Sequence, residues 1–141
     1  MSSIAQIEEN MRYAAEFKSL TSNELDIYQN VVAVFKESFK IPCTGCNYCL
    51  PCPKGINIPA RFSAYNASYA QGRFTGIFIY LTGIGVLSDN PIMARSCTAC
   101  GKCEKECPQH IPIVQDMKKV ARKFESLPMR GLLKVLRRVM R

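Results

Sequence analysis

The chain is poor in the residues that acid–base chemistry uses. It has no tryptophan, one histidine (His110), and 11 acidic residues against 19 Lys and Arg. One histidine excludes a Rieske-type site, which needs two imidazoles, and leaves His110 best read as a surface residue. No nucleophile stands beside a base in a pattern that assembles a catalytic pair. Gly83-x-Gly85 is too little for a dinucleotide loop, and no strand precedes it. No stretch alternates apolar and polar residues as a half-buried strand does, so the expected fold class is all-α. Long apolar runs are also missing. The most apolar one, GIFIYLTGIGVL at 76–87, is glycine-rich and falls short of the roughly 20 residues of a bilayer span. The opening MSSIAQIEEN is acidic and lacks the apolar stretch of a secretory signal. The expected location is therefore the cytoplasm, where thiols stay reduced and cysteines rarely form a disulfide scaffold.

What is present points to a folded chain. With 48% hydrophobic and 21% charged residues in 141, the composition is globular and suits one ordinary domain. The net charge of +8 is uneven: residues 1–42 carry −2, 43–96 carry +3 and 97–141 carry +7. A basic tail suits an acidic partner, an anionic surface or nucleic acid, or else it offsets an anionic cofactor.

Helical signals recur along the chain. Ser3 with Gln6 forms a capping box ahead of Ile4, Ile7, Met11 and Ala14, which predicts a helix to about Phe17. Thr21 with Glu24 repeats the cap before Leu25, Tyr28, Val32, Phe35 and Phe39, and this helix ends near Lys40-Ile41-Pro42. Asn57-Ile58-Pro59 opens a third helix with Phe62, Tyr65 and Tyr69 on its apolar face, ended by Gly72. Residues 73–87 read as a fourth, weakened by Gly76, Gly83 and Gly85. Pro112 opens a last long helix with Ile113, Met117, Val120, Ala121 and Phe124 on one side, and Pro128 breaks it. A short basic helix follows at 129–141. The organisation expected is a helical segment at 1–40, a domain at 41–127 and a basic helix at 128–141.

All eight cysteines lie in two motifs. The first is Cys43-x2-Cys46-x2-Cys49-x2-Cys52-Pro53, and the second is Cys97-x2-Cys100-x2-Cys103-x3-Cys107-Pro108. A cubane iron–sulfur cluster asks for one thiolate at each of its four corners. Two intervening residues let a tight loop place successive sulfurs on adjacent corners, and the fourth sulfur comes from elsewhere. In two-cluster ferredoxins the cysteine before proline ligates the other cluster. Applied here, Cys43, Cys46, Cys49 and Cys107 hold one [4Fe-4S] cluster, and Cys97, Cys100, Cys103 and Cys52 hold the second. The short spacing before Cys52 leaves a second arrangement open, with Cys43 to Cys52 all on one cluster. Zinc held by four thiolates is the main competing chemistry, and disulfides rank third. Ile41, Leu50, Ile56, Ile58, Ile111 and Ile113 flank the motifs as core residues that also keep water from the metal. Two oxidised clusters add about −4 of charge. Lys54, Lys102 and Lys105, in or beside the loops, either offset that charge or are ordinary solvated residues.

The stretch CTGCNYCLPCPKGINIPARFSAYN, followed by CTACGKCEKECPQHIPI, resembles the C-terminal ferredoxin-like module of the iron–sulfur aldo/keto reductase family. The likeness spans both motifs and the GINIP and CPQHIPI flanks, about half the chain. It implies an α-helical ferredoxin-like bundle around two [4Fe-4S] clusters. The helical iron–sulfur domains of succinate dehydrogenase and heterodisulfide reductase are broader kin. Those have three residues before the fourth cysteine in both motifs, so the shortened first motif favours the reductase family. MSSIAQIEENMRYAAEFKSLTSNEL is similar to the segment that closes that family's reductase barrel. The barrel carries the nicotinamide cofactor and the catalytic Tyr, Lys, Asp and His, and it does not lie within these residues. The chain is then either an excised fragment or a module encoded alone.

The resemblance implies electron transfer, with a redox partner protein or a covalently linked barrel on the other side and no substrate chemistry from this chain alone. The alternative is a structural or docking domain stabilised by iron–sulfur or zinc. In the tail PMRGLLKVLRRVMR, Leu132, Leu133, Leu136, Val139 and Met140 oppose Lys134, Arg137, Arg138 and Arg141. That pattern suits a helix covering the core first, an acidic redox partner or an anionic membrane second, and nucleic acid last, since no aromatic platform accompanies the charge.

Overall fold

The computed structural model describes residues 3–86, 88, 90–129 and 131. Among them every regular element is helical and there is no strand, so the fold is all-α. No helix among them is long and apolar enough to cross a membrane. The expected basic helix and its two-faced tail lie mostly outside the described residues. The chain divides into two compact units, residues 1–34 and 35–141.

The first unit holds α1 (Ile4–Ala15) and most of α2, which runs Ser22–Ser38. Ser3 caps α1, its hydroxyl accepting from the Gln6 N–H at 3.3 Å. The helix stops two residues short of Phe17, where the Glu16 N–H makes its last bond to the Arg12 carbonyl. Thr21 and Glu24 cap α2 reciprocally. The Thr21 N–H donates to Glu24 Oε2 at 2.8 Å, and the Glu24 N–H donates to Thr21 Oγ1 at 3.4 Å. Those bonds from Thr21, backbone first and then hydroxyl, hold the Glu24 carboxyl below its usual range. Neither helix buries a side chain, and the stripes marked by Ile4 and Met11 and by Leu25 and Tyr28 are exposed.

The second unit contains α3 (Ile58–Ala70), α4 (Arg73–Gly83), a single 3-10 turn at Ala94–Ser96, α5 (Lys102–Lys105) and α6 (Ile113–Phe124). Asn57 caps α3 by accepting from the Ala60 N–H at 3.1 Å, with Pro59 in the first turn. Gln71 and Gly72 then turn the chain back into α4. The two helices approach so closely that a Cβ on Gly76 would lie 2.3 Å from the Ser68 Cβ. Gly76 is therefore the seam of the pair rather than a weakness in α4. Gly85, at φ +65, ends the following turn. On α6, Ile113, Met117, Val120 and Phe124 recur at helical spacing and are buried. The Phe124 ring stacks on Tyr80 of α4 with centroids 4.7 Å apart. Tyr69 departs from its expected place on the apolar face of α3. It is 44% exposed, with the Lys123 ammonium 3.4 Å from its ring centroid. That cation–π contact suits a ring half in water.

Each cysteine loop is tied to this helical frame just before its first cysteine. The Ile41 N–H donates to the Asn66 side chain at 3.0 Å, and the Asn66 amide donates back to the Ile41 carbonyl at 2.8 Å. Ile41 lies two residues ahead of Cys43. In the second loop the Glu125 carboxylate accepts from the Ala94 N–H at 2.6 Å and from Arg95 Nε at 2.8 Å. It also accepts from the Tyr80 hydroxyl. Ala94 lies three residues ahead of Cys97. Burial first, and then the bond to Glu125, pushes the Tyr80 hydroxyl well above the usual tyrosine range. Arg61, almost wholly buried, donates from Nη2 to the Ile92 carbonyl at 2.9 Å and lies over the Tyr80 ring. Glu104 inside the second loop accepts from the Val114 N–H at 2.8 Å, which ties α5 to the start of α6.

Three outcomes are expected. Gly76→Ala lowers stability by about 1–3 kcal/mol in denaturant titration, because the new methyl meets Ser68 with no room to yield. Asn66→Ala strands the buried N–H and C=O of Ile41 and costs about 2–4 kcal/mol, from two orphaned groups. Glu24 has a folded-state pKa below its ordinary 4.5. Its stabilisation of α2 is therefore complete above that value and is lost as pH falls through the depressed one. Hydrogen exchange at the first turn of α2 should speed up on acidification in the parent and show less acid response in Thr21→Ala.

Candidate metal centre

None of the eight cysteines is in a disulfide; all are free and at least partly exposed. The repeat seen in the cysteine spacing is also a repeat of backbone conformation. Left-handed residues occur two positions after the first cysteine of each motif, at Gly45 (φ +73) and Ala99 (φ +56). They occur one position after the second cysteine, at Asn47 (φ +67) and Gly101 (φ +72). They occur three positions after the fourth, at Gly55 (φ +68) and His110 (φ +49). Alternation into this region turns successive N–H groups to one side and makes a concavity that favours anions. For a non-glycine residue such as Ala99 the conformation costs about 1–2 kcal/mol. The exposed His110 occupies the position that Gly55 holds in the first repeat.

Two cavities between them are lined by all eight cysteines, and Cys97 and Cys43 each border a further one. The larger, about 290 Å³, is lined by Cys52, Cys97, Cys100 and Cys103, with Leu50, Ile56, Val114 and Met117 among its walls. The smaller is a cleft of about 20 Å³ lined by Cys43, Cys46 and Cys107, with Phe62 and Ile111 beside them. Cys49 lines both. Thus Cys52 lies with the second motif's sulfurs, and Cys107 lies with the first motif's. Of the isoleucines and leucine expected to keep water out, Ile41, Ile56, Ile58, Ile111 and Ile113 are buried and Leu50 is half-buried.

The electrostatics divide the same way. Burial is the main cause that pushes the Cys43 thiol up, the Gly45 N–H opposes it, and Cys46 and Cys107 add to it. The Cys49 thiol is pushed up by burial, against its own N–H, and its thiol neighbours are Cys43, Cys46 and Cys107. The Cys103 thiol is pushed up to about 11, again by burial, with Glu104, Cys97 and Cys100 as further causes. Gathering such groups as thiolates is favoured by a positively charged metal centre between them.

The donor set fits an iron–sulfur cofactor. It is all thiol, which selects soft metal centres, and backbone N–H groups already point at Cys43, Cys49 and Cys103. Among the described residues no three Cys, His, Asp or Glu side chains converge on the single point that a lone ion occupies. The sulfurs ring spaces instead. Lys54, Lys102 and Lys105 line the larger cavity and are exposed, and among the described residues none makes an ion pair.

The clamps Asn66, Glu125 and Glu104 do not stand out in the sequence. They are polar residues within or just beyond helices whose apolar positions carry the pattern. Burial identifies Asn66 and Glu125, and the bond from the Val114 N–H identifies Glu104.

Comparison with known proteins supports an iron–sulfur domain over these residues. A family model described as a 4Fe-4S dicluster domain matches residues 42–112, half of the 141-residue chain. No curated protein and no solved structure matches the chain. The matched span begins one residue before Cys43 and ends five after Cys107, so it holds all eight cysteines and most of the lining of both cavities. The chain belongs to the 4Fe-4S dicluster domain family and is an iron–sulfur, ferredoxin-like module.

Proposed function

We propose that this chain passes single electrons through two [4Fe-4S] clusters, as the ferredoxin module of an aldo/keto reductase-type oxidoreductase. The observation that carries the reading is the crosswise sorting of the sulfurs. The smaller cavity gathers Cys43, Cys46 and Cys49 with Cys107, and the larger gathers Cys97, Cys100 and Cys103 with Cys52, Cys49 bordering both. On this reading Cys43, Cys46, Cys49 and Cys107 are the ligands of one cluster. Cys97, Cys100, Cys103 and Cys52 are the ligands of the second. When bound, each cluster supplies a one-electron carrier that needs no proton or bond change.

The chain's own residues do the rest. Cys52 and Cys107 tie each half of the repeat to the other. The N–H groups of the left-handed loops donate toward sulfur and favour its ionised form. Ile56 and Ile111 exclude water from the two spaces. Lys54, Lys102 and Lys105 offset negative charge at the rim of the larger one.

The link to a reductase rests on the shortened first motif and on the GINIP and CPQHIPI flanks. Substrate chemistry then belongs to a reductase barrel, covalently linked or separate, in the cytoplasm. The absence of a nucleophile–base pair from the sequence supports that division of labour.

Anaerobic purification followed by metal and sulfide analysis tests the reading. About eight irons and eight sulfides per chain are expected for two cubanes, with broad violet absorption that bleaches on dithionite. Tightly held zinc without sulfide contradicts it. Metal binding is also expected to be part of the folding free energy. Stripping the iron anaerobically should abolish the cooperative thermal transition of residues 35–141 followed by circular dichroism. An unchanged melt would show that the metal does not hold the fold.

A further inference from the structure

Three side chains face both cavities. Cys49, Ile58 and Ile113 line the larger space and the smaller one alike. Ile58 opens α3 and Ile113 opens α6, and each is only 2% exposed. Each also stands six residues after a proline-preceding cysteine, Ile58 after Cys52 and Ile113 after Cys107. They are therefore the same position of the internal repeat, brought from opposite halves of the chain to one wall. Most other wall residues serve a single space: Val114 and Met117 the larger, Phe62 and Ile111 the smaller.

We infer that Ile58 and Ile113 form a shared apolar partition that sets the reduction potentials of both centres together. The inference rests on the iron–sulfur reading above. Reduction adds one electron to a group that already carries negative charge, with no bond made or broken. Hydrocarbon solvates the more charged state worse than water does, so a dry wall holds the potential low. Isoleucine suits the task because its branched side chain has one strongly preferred rotamer in a helix and shuts a gap without hopping. A wall common to both spaces makes the two potentials respond as a pair to any change in it. A wall lining one space moves one potential.

The test uses the full chain, loaded with iron and sulfide anaerobically, in an EPR-monitored titration in which dithionite supplies the electrons. Ile58→Thr and Ile113→Thr replace an ethyl arm of the partition by a hydroxyl, which shortens the wall and makes it polar, and both midpoints should rise. Val114→Thr should raise one midpoint and leave the other in place. Should either threonine variant fail to load, Ile58→Val and Ile113→Val loosen the wall with no new polar group. They should then show the same paired rise at smaller size. A rise confined to one centre in the isoleucine variants, or no rise in either, overturns the partition. A parent chain without iron and sulfide overturns the iron–sulfur reading itself, and the two failures are told apart by that analysis.

Discussion

Eight thiols in two sets, six of them half-buried and Cys46 and Cys100 exposed, are the constraint on which the second unit depends. Burial pushes Cys43, Cys49 and Cys103 away from ionisation. The fold therefore opposes the charge state that metal ligation needs, and the metal has to overcome that opposition. The local N–H donors lower the cost without removing it. Metal binding is therefore expected to contribute to the stability of this unit. Among the described residues of this unit, the core is supported by three long helices beyond the end of α2.

The helical frame is built to present two loops. Asn66 and Glu125 hold the chain two and three residues ahead of Cys43 and Cys97, each through hydrogen bonds to buried backbone. Within the loops, three matched pairs of left-handed residues give the two motifs one backbone path. The motifs differ by one residue before the last cysteine, yet Cys52 and Cys107 end in corresponding places, each against the opposite half. Duplication is thus visible in sulfur spacing, in backbone hand and in the way Cys52 and Cys107 each line a cavity with the opposite motif's cysteines.

Much of this was legible in the sequence where local chemistry decides. The caps at Ser3, Thr21 and Asn57, the proline near the start of α3 and the apolar period of α6 all specify helices through neighbours within one turn. The cysteine motifs and their flanking isoleucines are equally local. Tertiary choices were not legible. Gly76 looks like a weak helical residue until the Ser68 backbone is seen against it. Tyr69 fits the apolar face of α3 but is drawn out by Lys123, 54 positions later in the chain. Glu125 reads as an ordinary charged residue beyond a helix, because its partners Tyr80, Ala94 and Arg95 are 30 to 45 positions away. The exposed stripes of α1 and α2 follow helical periodicity, and periodicity does not say what an apolar face covers.

The proposed exchange of one sulfur between the motifs would tie loop geometry, stability and electron carriage together. The most direct measurement is an anaerobic crystal structure of the iron-loaded chain, phased at the iron edge. The account predicts that the Cys107 sulfur bonds to the same cube as Cys43, Cys46 and Cys49, and that Cys52 bonds to the cube of Cys97, Cys100 and Cys103. A structure in which Cys52 closes the first motif's own cube, or Cys107 the second's, would contradict it.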